Sequence, residues 1–460
     1  MVGPIPALSR SHIIRHPMFL AAVLLASSAV AWADAPSHTL PGRPCISSGT
    51  TLDELIVLAA RDNKDLQAAR SSVDVARARL LQAGLRPNPR LDLGARSDFL
   101  FNNEGEYAIS AGISQDFPIA GRIGRQKQVA RVDIALAEAE IANVQRRIAE
   151  DIAGKFYKLL ISQQQIVTLD GLIAVEGKLA RITRNRFKAA EVSELDVNTV
   201  QLDAQRLMIE RSLLLSEQQA STVAINTLVG RAPGTSLELA GALPGSDAIP
   251  GLQRLQDRAL RQRPDFQGAL LGVDRAASEA ALARSQRWQD LTVGLELSQE
   301  RQVVLGAPAQ GTDRAIGVSV SVPLPLHNKS QGLIAEANAN GDQARARVAA
   351  LRAGIAAEVI SAHAEATRLQ SMLAQFRNSM LPTSQRSVRI ARQGYDMGLI
   401  PVFEVVQAQR QLADLNKTYL ATLDQFLQTL VRLHASAGDY STDGMTVDLR
   451  PGVHEQCVRP

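Results

Sequence analysis

Two pairs of short alternating segments interrupt a chain that otherwise reads as long helices, and the whole arrangement occurs twice. The first pair is PRLDLGARSDF, Pro89 to Phe99, and YAISAGISQDF, Tyr107 to Phe117. The second is LTVGLELSQ, Leu291 to Gln299, and AIGVSVSVPLPL, Ala315 to Leu326. Each runs about ten residues with period two, the length at which a tilted β-strand crosses a bilayer. Leu91, Leu93, Ala95 and Phe99 alternate with Arg90, Asp92, Arg96 and Asp98. One face suits lipid and the other water. A half-buried soluble sheet would show the same alternation. Against that stand the shared strand length, the export signal described next, and the lack of other apolar surface to cover a sheet. Phe99, Phe101, Tyr107, Phe117 and Trp288 lie near strand ends, where an interfacial girdle belongs. Four strands do not close a barrel, so the pattern calls for an oligomer.

The first 33 residues read as a signal peptide. Arg10 and Arg15 give a positive start, Met18 to Val30 an apolar core, and Ala31-Trp32-Ala33 a small-x-small cleavage site. No later run is long and apolar enough for a transmembrane helix. The net charge of +4 includes the two signal arginines, which leaves too little asymmetry for nucleic acid. Cys45 and Cys457 sit near the two ends and fit no metal spacing. In an oxidising compartment a disulfide between them and two free thiols both remain open. No phosphate loop, zinc-protease helix or nucleophile elbow is present, so an enzyme and a bound cofactor are not expected.

Shifting the sequence by 200 aligns Arg61, Asp65, Gln67, Val73, Asp74, Leu91 and Gly94 with Arg261, Asp265, Gln267, Val273, Asp274, Leu291 and Gly294. Past the second strand the offset grows to about 208, where RITRNRF (Arg181 to Phe187) meets RIARQGY (Arg389 to Tyr395). The chain is therefore two copies of helix–strand–strand–helix–turn–helix. The copies span 51–229 and 252–437, with strands near 89–101, 107–118, 290–300 and 314–326. A Gly- and Pro-rich loop, 230–251, joins them. Segments 34–50 and 438–460 flank them.

A helical pattern runs unbroken by proline from about Gly121 to Phe187, on the order of 100 Å long. Ile134, Ile141 and Ile148 recur every seven residues, with Ala137 and Val144 three further on, as in a coiled coil. Its partner covers about Leu195 to Val229. The second copy gives about Gln331 to Gln393, where Pro382 forces a kink or break, and Val402 to Ala437. Helices this long fit a wall of packed helices rather than a globule.

The turn LPTSQRSVRIARQGYDMGLIPVFEVVQAQRQL, Leu381 to Leu412, resembles the hallmark of the TolC-like outer-membrane factor family. The matching residues are Pro382, Gly394, Tyr395, Gly398, Val405, Ala408 and Gln409. RFKAAEVSELDVNTVQLDAQ in the first copy is similar, with Ala190 where a turn glycine is usual. The resemblance implies an α+β membrane protein: a homotrimer whose twelve strands form one β-barrel in the outer membrane, continued by a long α-helical tunnel in the periplasm. It also implies a periplasmic adaptor and an inner-membrane RND transporter as partners, with passive conduction. SQDFPIAGRIGRQ, Ser114 to Gln126, and SVPLPLHNKSQGLIAEANA, Ser321 to Ala339, resemble the subgroup paired with cobalt–zinc–cadmium pumps. Drug efflux and type I secretion are the alternatives. A different class, an exported coiled-coil structural protein, would not need the paired strands.

Three sets of tip residues become candidates. Ala190, Val192, Ser193, Gly398, Ile400 and Pro401 shape the turns and would dock the adaptor. Glu191, Glu194, Asp196, Asp396 and Glu404, repeated threefold, would ring a constriction and favour cations. Solvated charges and helix caps are the plainer reading, which Ser193 with Asp196 suggests. Arg184, Arg186, Arg389 and Arg392 would lock a closed tip by ion pairs across protomers, or serve as ordinary helix-surface arginines. His327, His363 and His434 read as turn, surface or packing residues.

Overall fold

A computed structural model describes residues 49–98, 100, 105–241, 249–303, 306, 308 and 311–438. The expected signal peptide, Phe99, Phe101 and both cysteines lie outside these residues. The first copy runs α1 (Leu52–Asp62), α2 (Lys64–Ala83), β1 (Arg90–Ser97), β2 (Tyr107–Phe117), α3 (Arg122–Lys188) and α4 (Glu194–Leu228). The second runs α5 (Leu252–Gln262), α6 (Pro264–Ser285), β3 (Leu291–Arg301), β4 (Asp313–Ser321), α7 (Gln331–Gln375), α8 (Leu381–Asp396) and α9 (Val402–Ser436).

The four strands form one antiparallel sheet in the order β1-β2-β3-β4. Its middle seam, β2 against β3, joins the two copies. Leu91, Ile113, Leu295 and Val318 fall in one row across the sheet. They are 70%, 52%, 47% and 74% exposed, so nothing among the described residues covers this apolar face. That excludes the half-buried soluble sheet, whose apolar face would be packed. The adjacent row is Asp92, Gly112, Glu296 and Gly317. Phe117 and nearby Trp288 mark one end of the sheet, and Tyr107 the other. β4 stops at Ser321, earlier than its alternation suggests. Pro323 and Pro325 carry no N–H for the ladder, which ends the pairing there.

Helix α3 is continuous over 67 residues, about 100 Å. Of its expected seam, Ile148 is buried, and Ile141 and Val144 pack on the central core. That core gathers Leu55, Ile152, Leu159, Ile225, Leu255, Val359, Leu373 and Phe426 from both copies. The helical segment before each strand pair is two helices rather than one. The chain turns at Asn63 and Arg263, both near φ −62 to −66° and ψ 121 to 130°. Asn63 Oδ1 caps the Leu66 N–H at 2.9 Å, while its Nδ2 donates to Leu228 O at 2.8 Å. Arg263 plays the matching part in the second copy, where its Nη1 donates to Ser436 O at 3.3 Å, at the end of α9. Each copy is thus pinned from its second helix to its last. Gly230 and Gly438 complete the corners at φ +75° and +77°. A Cβ on Gly230 would sit 2.5 Å from Asp62 O, so only glycine fits.

Pro382 neither breaks nor ends the helix. A π-helical turn, Phe376–Met380, lies between α7 and α8, and the backbone stays helical through it. Widening the ladder just before the proline accommodates its missing donor and its ring. Phe376 meets Tyr419 edge-on at 6.0 Å, and Arg377 Nε donates to the Tyr419 hydroxyl at 3.0 Å. The first copy has no such turn in α3.

Candidate functional site

The site is the tip where α3 turns into α4 and α8 into α9. Both turns are built alike. In the first, Ala190 N–H donates to Phe187 O and Glu191 N–H to Arg186 O, each at 2.9 Å. In the second, Gly398 N–H donates to Tyr395 O at 3.0 Å and Leu399 N–H to Gly394 O at 2.8 Å. Ala190 takes φ +59° where Gly398 takes +73°. The absent glycine therefore leaves the turn shape unchanged, and alanine carries the left-handed strain, about 1–2 kcal/mol. Ala190→Gly should accordingly stabilise the tip by about 1 kcal/mol and Gly398→Ala destabilise it by a similar amount. Hydrogen exchange at the two turns reads both changes, and equal protection in both variants would refute the assignment.

The remaining turn residues also correspond. Val192 and Ile400 are half-buried, and Ile400 packs against Gly394 and the tip core. Ser193 and Pro401 are the N-caps of α4 and α9. Ser193 and Asp196 form a capping box, with Ser193 N–H donating to Asp196 Oδ2 at 3.0 Å and Asp196 N–H to Ser193 Oγ at 3.3 Å. Asp196 is thus engaged as a cap. Glu191 lies 3.8 Å from Arg186. Glu194, Asp396 and Glu404 are exposed, with no ion pair among the described residues. Met397, Leu399 and Phe403 add exposed apolar area beside them.

The arginines divide. Arg186 lies over the Tyr395 ring at 4.3 Å and donates from Nη1 to Tyr395 O at 3.4 Å. It ties the first hairpin to the second within one chain. Arg392 also turns inward, whereas Arg184 and Arg389 are exposed. Two of the four arginines expected to act between protomers are therefore engaged inside their own.

Just above the tip core of Leu179, Val200, Tyr395, Val402, Val405 and Val406 lies a polar node that sequence reasoning missed. Glu176 of α3 is 2% exposed. Gln409 of α9 fits with its amide nitrogen facing Glu176 Oε1 and its oxygen accepting from Arg392 Nη2 at 3.0 Å and Nε at 3.3 Å. Arg410 Nε donates to Asp203 of α4 at 2.6 Å. Glu176 Oε2 is buried without a partner among the described residues. Burial, and then the nearby Asp203 charge, push the Glu176 carboxyl up to about 7, against the pull of Arg392 and Arg410. The node edges a cleft of about 370 Å³ between α3, α4 and α9, walled by Leu169, Leu172, Leu207 and Leu420. A signal did exist: Leu169, Leu172, Glu176, Leu179 and Thr183 keep coiled-coil spacing, which places an acid on an apolar seam. Among the described residues, no cluster of His, Cys, Asp or Glu could hold a metal ion.

A sheet with a bare apolar face, set on helical hairpins that end in paired turns, defines an outer-membrane duct. The sequence profile of the outer membrane efflux proteins matches residues 55–231 and 255–439, and this chain belongs to that family. Its fold is that of the trimeric, twelve-stranded channels of the outer membrane. The chain is 23% identical to the cobalt-zinc-cadmium resistance protein CzcC of Cupriavidus metallidurans over 92% of its own length and 98% of the relative's. The CusC transmembrane channel superposes with TM-score 0.70 at 18% identity, covering 84% of this chain and 92% of that one. The outer membrane protein VceC of Vibrio cholerae gives TM-score 0.67 at 18% identity, with 84% and 96% covered.

Proposed function

We propose that this efflux channel is the outer-membrane component of a tripartite RND-type pump and passes heavy-metal cations such as cobalt, zinc or cadmium. The observation that carries the cargo is the end-to-end likeness to CzcC, a protein named for resistance to these metals. An adaptor meets the tip at the turns around Ala190–Ser193 and Gly398–Pro401, where Met397, Leu399 and Phe403 supply exposed apolar area. The pump supplies the energy. Carboxylates left free at the tip (Glu194, Asp396 and Glu404) favour cations at a constriction. No tight metal site is required, because a passive duct need not hold its cargo.

A deletion strain should become sensitive to cobalt, zinc and cadmium while its tolerance of hydrophobic drugs and dyes stays unchanged. The opposite profile would assign the channel to organic compounds. In planar bilayers, Asp396→Asn with Glu404→Gln should reduce cation-over-anion selectivity severalfold. Unchanged selectivity would remove those carboxylates from the argument.

A further inference from the structure

We propose that Glu176 is the titrating element of a latch between the two helical hairpins of each protomer, closed by a proton and released as pH rises. Four helices meet at this residue. Glu176 comes from α3, Asp203 and Arg206 from α4, Arg392 from α8, and Gln409, Arg410, Asp414 and Lys417 from α9. Most of these charges are already committed. Arg410 pairs with Asp203 at 2.6 Å, and Lys417 pairs with Glu210 of α4. Arg392 is held by the Gln409 oxygen, and the Gln409 nitrogen faces Glu176 Oε1. Arg206 and Asp414 line the cleft beyond the node. That leaves Glu176 Oε2 closed off and unpartnered. An oxygen with no reachable surface cannot take an ammonium or metal ion unless the helices move. The cation it can take in place is a proton.

Parting the hairpins would expose Glu176 to water, where a carboxyl titrates at its ordinary value of about 4.3. Joined, the carboxyl titrates near 7 because burial and Asp203 disfavour its charge. The joined state therefore binds more protons between these two values. Its advantage is full below the lower value and lost as pH rises through the upper one. Between pH 6 and 8 the ratio of parted to joined hairpins should rise about tenfold.

The test uses the full-length channel in lipid, with spin labels at the exposed positions Gln205 of α4 and Gln411 of α9. In the parent channel, the long-distance population should grow about tenfold relative to the short one from pH 6 to pH 8. Glu176→Gln should hold the short distance at both values, since an amide cannot ionise. Asp203→Asn should move the transition to lower pH. A parent channel without pH response, or a Glu176→Gln channel that responds as the parent does, would overturn the proposal. The readout is conformational, so it stands or falls apart from the cargo.

Discussion

Arg263→Ala is expected to destabilise the folded chain by about 3–5 kcal/mol, seen as a lowered unfolding midpoint in detergent. Arg263 makes no N-cap bond with its side chain, yet it is nearly buried at the start of α6. Its guanidinium donates to Asp265 Oδ1 at 3.0 Å and Oδ2 at 2.6 Å, to Glu358 Oε2 at 2.6 Å and to Ser436 O at 3.3 Å. One side chain thus connects α6, α7 and α9. Removing it leaves Asp265 without its cation and Ser436 O without this donor. Glu358 is more exposed and recovers by hydration. The pH dependence also weakens. Burial alone would raise the Asp265 carboxyl, and the Arg263 hydrogen bonds and charge outweigh it to hold the group below its ordinary value. In the parent this contribution is present above the ordinary carboxylate value and lost on acidification through the depressed one. In the variant only the Phe266 N–H and the more distant Arg146 still favour the charged carboxyl, so this contribution and its loss on acidification shrink. Asn63→Ala, the counterpart in the first copy, removes a neutral amide and should cost only about 1 kcal/mol. Equal losses for the two variants would show that the ion pairs at Arg263 carry no special weight.

Adjacent residues on β3 should behave in opposite ways. Leu295 lies on the apolar face between Ile113 and Val318, and Glu296 on the other face between Gly112 and Gly317. An arginine at 295 would face acyl chains near mid-strand and cost about 2–4 kcal/mol per chain. Three copies in one barrel compound that cost. Leu295→Arg should therefore fail to yield heat-resistant trimer in the outer membrane. Glu296→Arg, flanked by two glycines and facing water, should assemble normally and shift conductance away from cations. Heat-modifiability on gels and membrane fractionation check both. Normal assembly of Leu295→Arg would show that the exposed apolar row does not meet lipid.

The parts of this fold readable in advance were those governed by periodicity. Alternation placed the strands, and the absence of proline in α3 gave its length. The breaks at Asn63 and Arg263 left a signal that periodicity alone passes over, because helical spacing continues on both sides while Asn63 is a favoured N-cap and Pro264 a favoured first helical residue. At Pro382 the sequence required a disturbance but did not choose its form. A break and a widened turn both absorb the missing donor, and packing of Phe376 against Tyr419 accompanies the turn. At the site, the Ser193–Asp196 box was legible because it is local. The contacts of Arg186 with Tyr395, and of Glu176 with Gln409, join hairpins far apart in sequence. Local pattern marks Glu176 as an acid on an apolar seam but does not name its partners.

The β2–β3 seam bears on the ancestry of the channel. It pairs one copy with the next by the same antiparallel ladder that would close β4 of one chain onto β1 of another. An ancestor half as long, with one hairpin and one helical pair, would need six subunits to enclose the same pore. Fusion halves the number of bodies that must find one another in the membrane. It also frees the two halves to diverge. One half has an unbroken strut and an alanine at its tip, while the other has a π turn and a glycine. Where a sixfold ring of equals would have one kind of tip turn, a threefold ring of these chains has two.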